Sequence, residues 1–247
     1  FRLEIEDAVI LIDPWLSGNP VFPEDRRGDA IGGATHILLT HGHGDHSGDT
    51  LAIAKELKIP VAGIYDLVSH WVTHHDIEGI GFNKGGTVDL KGARVTMVNA
   101  SHSSSLMVDG KPVYAGHESG YMIQGEGRTI YVSGDTDIMA DMEWMAELHR
   151  PEIGILCAGG HYTMDMERAA WAARRYFDFR TVIPCHYDTF PALRQDPEVM
   201  RRALERAAPS VRTLGFAGFF GLPVAYQPLA GPARPQLPGL LAPGLVV

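Results

Sequence analysis

His41-Gly42-His43-Gly44-Asp45-His46 places three imidazoles and a carboxylate within six residues, directly behind the apolar run contained in His36-Ile37-Leu38-Leu39-Thr40. That run has strand length, and the glycines that follow sit poorly in a helix interior, so the cluster is expected on a loop leaving a buried strand. Along a roughly extended chain, residues two apart point the same way. His41 and His43 can then converge on one ion while Asp45 and His46 turn toward another. Neutral imidazole combined with carboxylate suits Zn²⁺, Mn²⁺ or Fe²⁺, and histidine-rich ligation leans toward zinc.

Six residues cannot saturate two ions, so further ligands are required far along the chain, most naturally at the ends of other strands. Three candidates follow strand-like runs. His102 comes after Val95-Thr96-Met97-Val98-Asn99, Asp135 after Thr129-Ile130-Tyr131-Val132, and His186 after Thr181-Val182-Ile183-Pro184. Each alone also fits a surface histidine or a turn; beside the first cluster they read as ligands.

Taken together, these residues resemble the metallo-β-lactamase superfamily, whose signature His-Xaa-His-Xaa-Asp-His is matched by His41, His43, Asp45 and His46, with the later His, Asp and His in the same order. The chain is most similar to a branch of metal-dependent hydrolases related to the ascorbate-phosphate lactonases and to the phospholipase D that releases N-acylethanolamines. Its wording recurs in Ile12-Asp13-Pro14, Ala100-Ser101-His102-Ser103-Ser104, Gly134-Asp135-Thr136-Asp137, Gly160-His161-Tyr162-Thr163-Met164 and the stretch from Ile183 to Pro191. The likeness runs from about Phe1 to Leu214. The branch usually opens with a strand ending in Gly-His-Ser ahead of the segment seen here as Phe1-Arg2; its absence suggests a fragment lacking one pocket histidine. The stretch from Leu222 to Val247 does not look like the family.

The resemblance implies an α/β fold, the four-layer αββα sandwich of the superfamily, which periodicity alone could not separate from other layered α/β folds. It also implies that His41, His43 and His102 hold one divalent ion, that Asp45, His46 and His186 hold a second, and that Asp135 bridges them. Two ions about 3.5 to 4 Å apart would share a water, and the resulting bridging hydroxide would attack a lactone, ester, amide or phosphodiester. Asp45 would orient that hydroxide and carry a proton to the leaving group. Zn²⁺ is the first choice of metal, with Mn²⁺ and Fe²⁺ as alternatives. A di-iron redox enzyme is a competing reading, but the superfamily's flavodiiron proteins carry Glu where this chain has His43. A non-catalytic metal-binding module would be expected to lack a ligand, and the set here is full.

Asp13, at the end of Val9-Ile10-Leu11-Ile12, is a candidate to fix a ligand imidazole's tautomer from behind, or an ordinary strand-end turn with Pro14. His161, beyond Ile153-Gly154-Ile155-Leu156, is expected on the same rim as the ligands, contacting substrate or an oxyanion, or else capping the next helix. His74 and His75 read as the end of an amphipathic helix rather than as site residues.

Helices are expected at Ala52 to Leu57, Met139 to Leu148, Met166 to Tyr176 and Pro197 to Ala207, alternating with strands after a strand-rich start. The chain's 247 residues, 45% hydrophobic, suffice for one core. The expected organisation is a hydrolase domain over 1–221 and a Pro/Gly-rich apolar tail over 222–247, the tail suited to packing in a homo-oligomer. No apolar run is long enough to span a bilayer and no leader precedes the first strand, so a cytoplasmic location is expected. Cys157 and Cys185 should be buried free thiols, with Cys185 facing away from the metal in an extended chain. A net charge of −9, with arginines in isolated pairs, disfavours nucleic acid and leaves a small-molecule substrate. Specificity is expected in the loops Gly79 to Gly86 and Val108 to Gly120 and in the tail.

Overall fold

β2 (Ala8–Ile12) reads Ala-Val-Ile-Leu-Ile and is buried at four of its five positions, the pattern of a strand covered on both faces. It pairs antiparallel with β1 (Arg2–Ile5) and parallel with β3 (His36–Leu38). The parallel run continues through β4 (Val61–Ile64) to β5 (Gly79–Phe82). The computed structural model describes residues 1–205 together with two short strands, β14 (Arg212–Thr213) and β15 (Leu245–Val246). β15 extends the first sheet beside β1.

A second sheet begins antiparallel, with β6 (Thr87–Leu90), β7 (Ala93–Asn99), β10 (Ser119–Gly125) and β11 (Arg128–Val132). It turns parallel at β12 (Ile153–Cys157) and β13 (Thr181–Cys185), with β14 at the edge. Between β7 and β10 the chain makes a separate hairpin, β8 (Ser105–Val108) and β9 (Lys111–Tyr114), whose Met107 and Tyr114 are exposed.

The two sheets face each other across one apolar layer, to which Ile10, Ile37 and Val61 contribute from the first sheet and Val95, Ile123 and Ile183 from the second. Burying each such side chain contributes about 1.5–3 kcal/mol, so this layer is the main source of stability. α3 (Thr50–Leu57) and α4 (Tyr65–His75) add Ile53, Leu67 and Trp71 to the same cluster. On the far side of the second sheet, α5 (Met142–His149), α6 (Met166–Tyr176) and α7 (Pro197–Glu205) form a second cluster with Leu156 and Val182. The result is the αββα sandwich. α6 buries Ala169, Ala170, Ala172 and Ala173, small residues that let it lie close to β12, and Asp165 caps it by accepting from Arg168 N at 2.7 Å.

Several expectations shift in detail. The first of the expected helices starts at Thr50 rather than Ala52, and α5 starts at Met142 rather than Met139, because residues before it make a turn. α7 is described to Glu205, and Ala207 lies outside the described residues. Gly79 to Phe82 forms an edge strand rather than a loop, and most of Val108 to Gly120 is the hairpin and the start of β10. The 222–247 tail lies outside the described residues apart from β15. Among the described residues no helix is long and apolar enough to cross a membrane.

Candidate metal centre

Past β3 the chain bends at Thr40, is extended at His43 (φ −62°, ψ 150°), then closes a single helical turn, α2 (Gly44–Ser47). The cluster is therefore half loop and half helix turn, and the turn brings the His46 ring within 4.2 Å of the His41 ring, against 4.6 Å between His41 and His43. His41 is buried, and its Nε2 lies 2.9 Å from Nδ1 of His43. Two ligands of one tetrahedral ion, with metal bonds of about 2.0–2.1 Å, sit about 3.3 Å apart, so the pair is close to that spacing.

The remaining members arrive from the ends of strands in the second sheet: His102 beyond β7, Asp135 beyond β11 and His186 at the end of β13. Asp135 Oδ2 lies 3.1 Å from His186 Nε2, 3.4 Å from His46 Nε2 and 3.6 Å from His102 Nε2. Asp45 Oδ2 lies 3.4 Å from His186 Nε2 and 3.8 Å from His46 Nε2. Donor atoms of His41, His43 and His102 fall within 4.8 Å of one another, as do those of Asp45, His46 and His186.

Buried polar atoms are nearly always hydrogen-bonded. Here Nε2 of His46, Oδ1 of Asp135 and both ring nitrogens of His186 are buried with no hydrogen-bond partner. Of these, Nε2 of His46 and Nε2 of His186 turn toward the one carboxylate of Asp135, and imidazole with carboxylate is a donor set that fits divalent cations.

A third grouping, Asp13 with His41 and His46, also falls within 4.8 Å. The oxygens of Asp13 are already engaged: Oδ1 accepts from Thr40 N at 2.8 Å, and Oδ2 accepts from Thr40 Oγ1 at 2.6 Å and pairs with His46 Nδ1 at 2.8 Å. Both oxygens of Asp13 are thus hydrogen-bonded within the protein. Its left-handed φ of 49° and that of His186, 58°, are costly for residues with a Cβ, and such strain gathers where side chains must be aimed. Asp49 anchors the loop after β2 by accepting from Leu16 N, Ser17 N and Ser17 Oγ at 2.7, 2.9 and 2.6 Å. Thr40 and Asp49 were not singled out in the sequence. Thr40's position directly before His41 was an available signal; Asp49 had none.

Charge balance around the ligands is uneven. Burial, then the neighbouring His46, holds His41 well below the usual imidazole range, and burial likewise lowers His43 and His102. Burial opposes charge on His46 too, yet Asp135 and Asp13 raise it well above that range. His186 is raised to about 9: burial opposes its charge, but the carboxylates of Asp135 and Asp45, 3.1 and 3.4 Å away, outweigh it. Asp135, despite burial, is held well below the carboxylate range by His46 and His186.

His161 lies on the same rim, because β12 and β13 run parallel with Cys157 opposite Cys185. It is exposed and edge-on to Tyr162 at 4.5 Å, outside the ligand groupings. His74 stays on the exposed end of α4, donating from Nδ1 to His70 O at 2.8 Å. Glu118 accepts from His102 N at 3.3 Å. Both cysteines are free. A cavity of about 610 Å³ opens beside Asp45, His46, Asp135 and His186, with Trp15, Leu16, Val21 and Phe22 among its apolar lining. Cys185 also lines it, contrary to the expectation that it faces away, because the left-handed turn at His186 breaks the strand alternation.

Residues 9–187 match the family model described as "Beta-lactamase superfamily domain". The chain is 78% identical over 204 residues to the UPF0173 metal-dependent hydrolase of Paracoccus denitrificans, covering 83% of this chain and 89% of that one. The chain belongs to the UPF0173 metal-dependent hydrolases of the β-lactamase superfamily. A relative in Cereibacter sphaeroides is 71% identical to this UPF0173 hydrolase over the same shares of the two chains. Among solved structures, the metallo hydrolase Igni18 of Ignicoccus hospitalis superposes with a TM-score of 0.75 at 32% identity, over 87% of this UPF0173 hydrolase and 90% of Igni18. Residues 195–247 match a separate model described as "Probable inorganic carbon transporter subunit DabA".

Proposed function

We propose that this metal-dependent hydrolase is dinuclear: His41, His43 and His102 hold one divalent ion, Asp45, His46 and His186 hold the other, and Asp135 lies between them. The observation that carries the reading is Asp135 Oδ2, within 3.1 to 3.6 Å of ring nitrogens from both sets. The histidine-rich set favours Zn²⁺, with Mn²⁺ or Fe²⁺ able to replace it. When bound, such ions lower the pKa of a shared water and polarise a carbonyl or phosphoryl oxygen.

The chain's own residues do the rest. Asp45 is the most exposed acid of the cluster, with 30% of its side chain accessible. Burial opposes its charge, but His186 and His46 hold it below the usual carboxylate range, so it is ionised at neutral pH. It is suited to take a proton from attacking water and pass it to the leaving group. His161 would meet the substrate from the rim. The apolar cavity suits the body of a small molecule carrying a lactone, ester, amide or phosphodiester, and its volume lies within the range of such sites. The di-iron redox alternative would show itself as bound iron with oxygen consumption.

The test is hydrolysis of a panel of lactones, phosphodiesters, β-lactams and N-acyl amides, before chelation, after it, and after metal return. Turnover of one class that vanishes and returns with metal supports the reading. Turnover insensitive to chelation overturns it.

A further inference from the structure

Thr40 ends the strand run that delivers the first ligands, and its side chain is buried. Its hydroxyl donates to Asp13 Oδ2 at 2.6 Å, so its single proton is committed. The same oxygen lies 3.0 Å from Nδ1 of His41 and can take part in that contact only as acceptor. The proton of His41 is thereby placed on Nδ1, leaving the Nε2 that faces His43 bare. Asp13 Oδ2 makes the equivalent contact to Nδ1 of His46 directly, at 2.8 Å, so that Nε2 is the nitrogen His46 turns toward Asp135.

We propose that Thr40 is a positioning residue that relays the carboxylate of Asp13 to His41, so that one aspartate sets the tautomer of a histidine in each metal pocket, directly for His46 and through the Thr40 hydroxyl for His41. This rests on the ligand assignment above. An imidazole that presents the wrong nitrogen is no ligand, and removing the group that fixes a ligand's tautomer costs roughly 10–100-fold in metal affinity. The relay makes the two second partners unequal: loss of Asp13 disturbs both histidines, whereas loss of the Thr40 hydroxyl disturbs only His41.

Imidazole ¹⁵N spectra of the metal-free protein and Co²⁺ titrations of the intact chain test this. Thr40→Val should lose the Nδ1–H form of His41, leave that of His46, and weaken the pocket containing His41 by roughly 10–100-fold. Thr40→Ser should restore both. Asp13→Asn should shift both histidines, and it serves alone should Thr40→Val not fold. A folded Thr40→Val with wild-type tautomers and Co²⁺ affinity, or an Asp13→Asn that shifts His46 and not His41, overturns the relay. His41→Ala tests the ligand reading separately: unchanged Co²⁺ affinity there removes His41 as a ligand, while the spectra still decide the hydrogen-bond chain.

Discussion

The carboxylate of Asp135 and the imidazole of His186, carried past the ends of β11 and β13, approach to 3.1 Å with β12 lying between their parent strands. Asp135 is only 3% exposed, so its charge must be matched inside the protein. Asp135→Asn keeps the shape and removes the charge. We expect turnover to fall by on the order of 10²-fold or more and the metal content of both pockets to drop, read by kinetics and elemental analysis. Full occupancy of both pockets in the variant would separate Asp135 from metal binding.

His43→Ala and His186→Ala each remove one proposed ligand from a different pocket. Hydrolysis should fall by on the order of 10³-fold or more in both, while far-ultraviolet circular dichroism stays unchanged. The core that stabilises the fold lies between the sheets and under α5 to α7, not at their rim. Wild-type turnover in either variant would remove the assigned centre.

Stability of the chelated protein should depend on pH in a definite direction. His186 is raised from the usual 6.5 to about 9, so its contribution is complete below 6.5 and is lost as pH climbs through about 9. His46, also raised, acts in the same sense. His41, His43 and His102 are lowered, hence neutral in both folded and unfolded chains above 6.5, and add no slope there. Melting temperature of the metal-free protein should fall between about pH 7 and pH 9.5, and His186→Gln should flatten that fall. A wild-type melting temperature that rises over this interval contradicts the charge arrangement.

Gly159 has no room for a methyl group: a Cβ there would overlap the carbonyl of His186 and come within 3.0 Å of its ring. Gly159→Ala should cost about 1–3 kcal/mol by overpacking. It should also lower kcat more than thermal stability alone explains, because the displaced residue is His186. Kinetics at a temperature where the variant is fully folded separates the two effects.

Chelation should lower the melting temperature. An ion present at about a hundred times its dissociation constant stabilises the fold by about 2.7 kcal/mol. For a chain of this size that is roughly 5–10 °C. A melting temperature indifferent to chelation and metal return would show that nothing binds the folded state.

How much of this was legible beforehand follows from which interactions are local. The spacing of His41, His43, Asp45 and His46 is local, and a strand end fixes it. His102, Asp135 and His186 were legible because each follows an apolar run, and parallel strands bring their ends to one rim. The relay through Thr40 was not legible, since it depends on Asp13 adopting a left-handed backbone and reaching across from the adjacent strand. The orientation of Cys185 failed for the related reason that alternation along a strand stops at the first residue that leaves it. Hairpin β8–β9 was hidden because its strands are short and exposed, so neither burial nor periodicity marked them.

The proposed ligands come from both sheets: His41, His43, Asp45 and His46 follow β3, and the others follow strands of the opposite sheet. Bound ions would thus clamp the two halves of the sandwich at one edge. Under mechanical or thermal load the halves could separate only after the clamp lets go, so the rate of metal release would set a ceiling on the rate of unfolding.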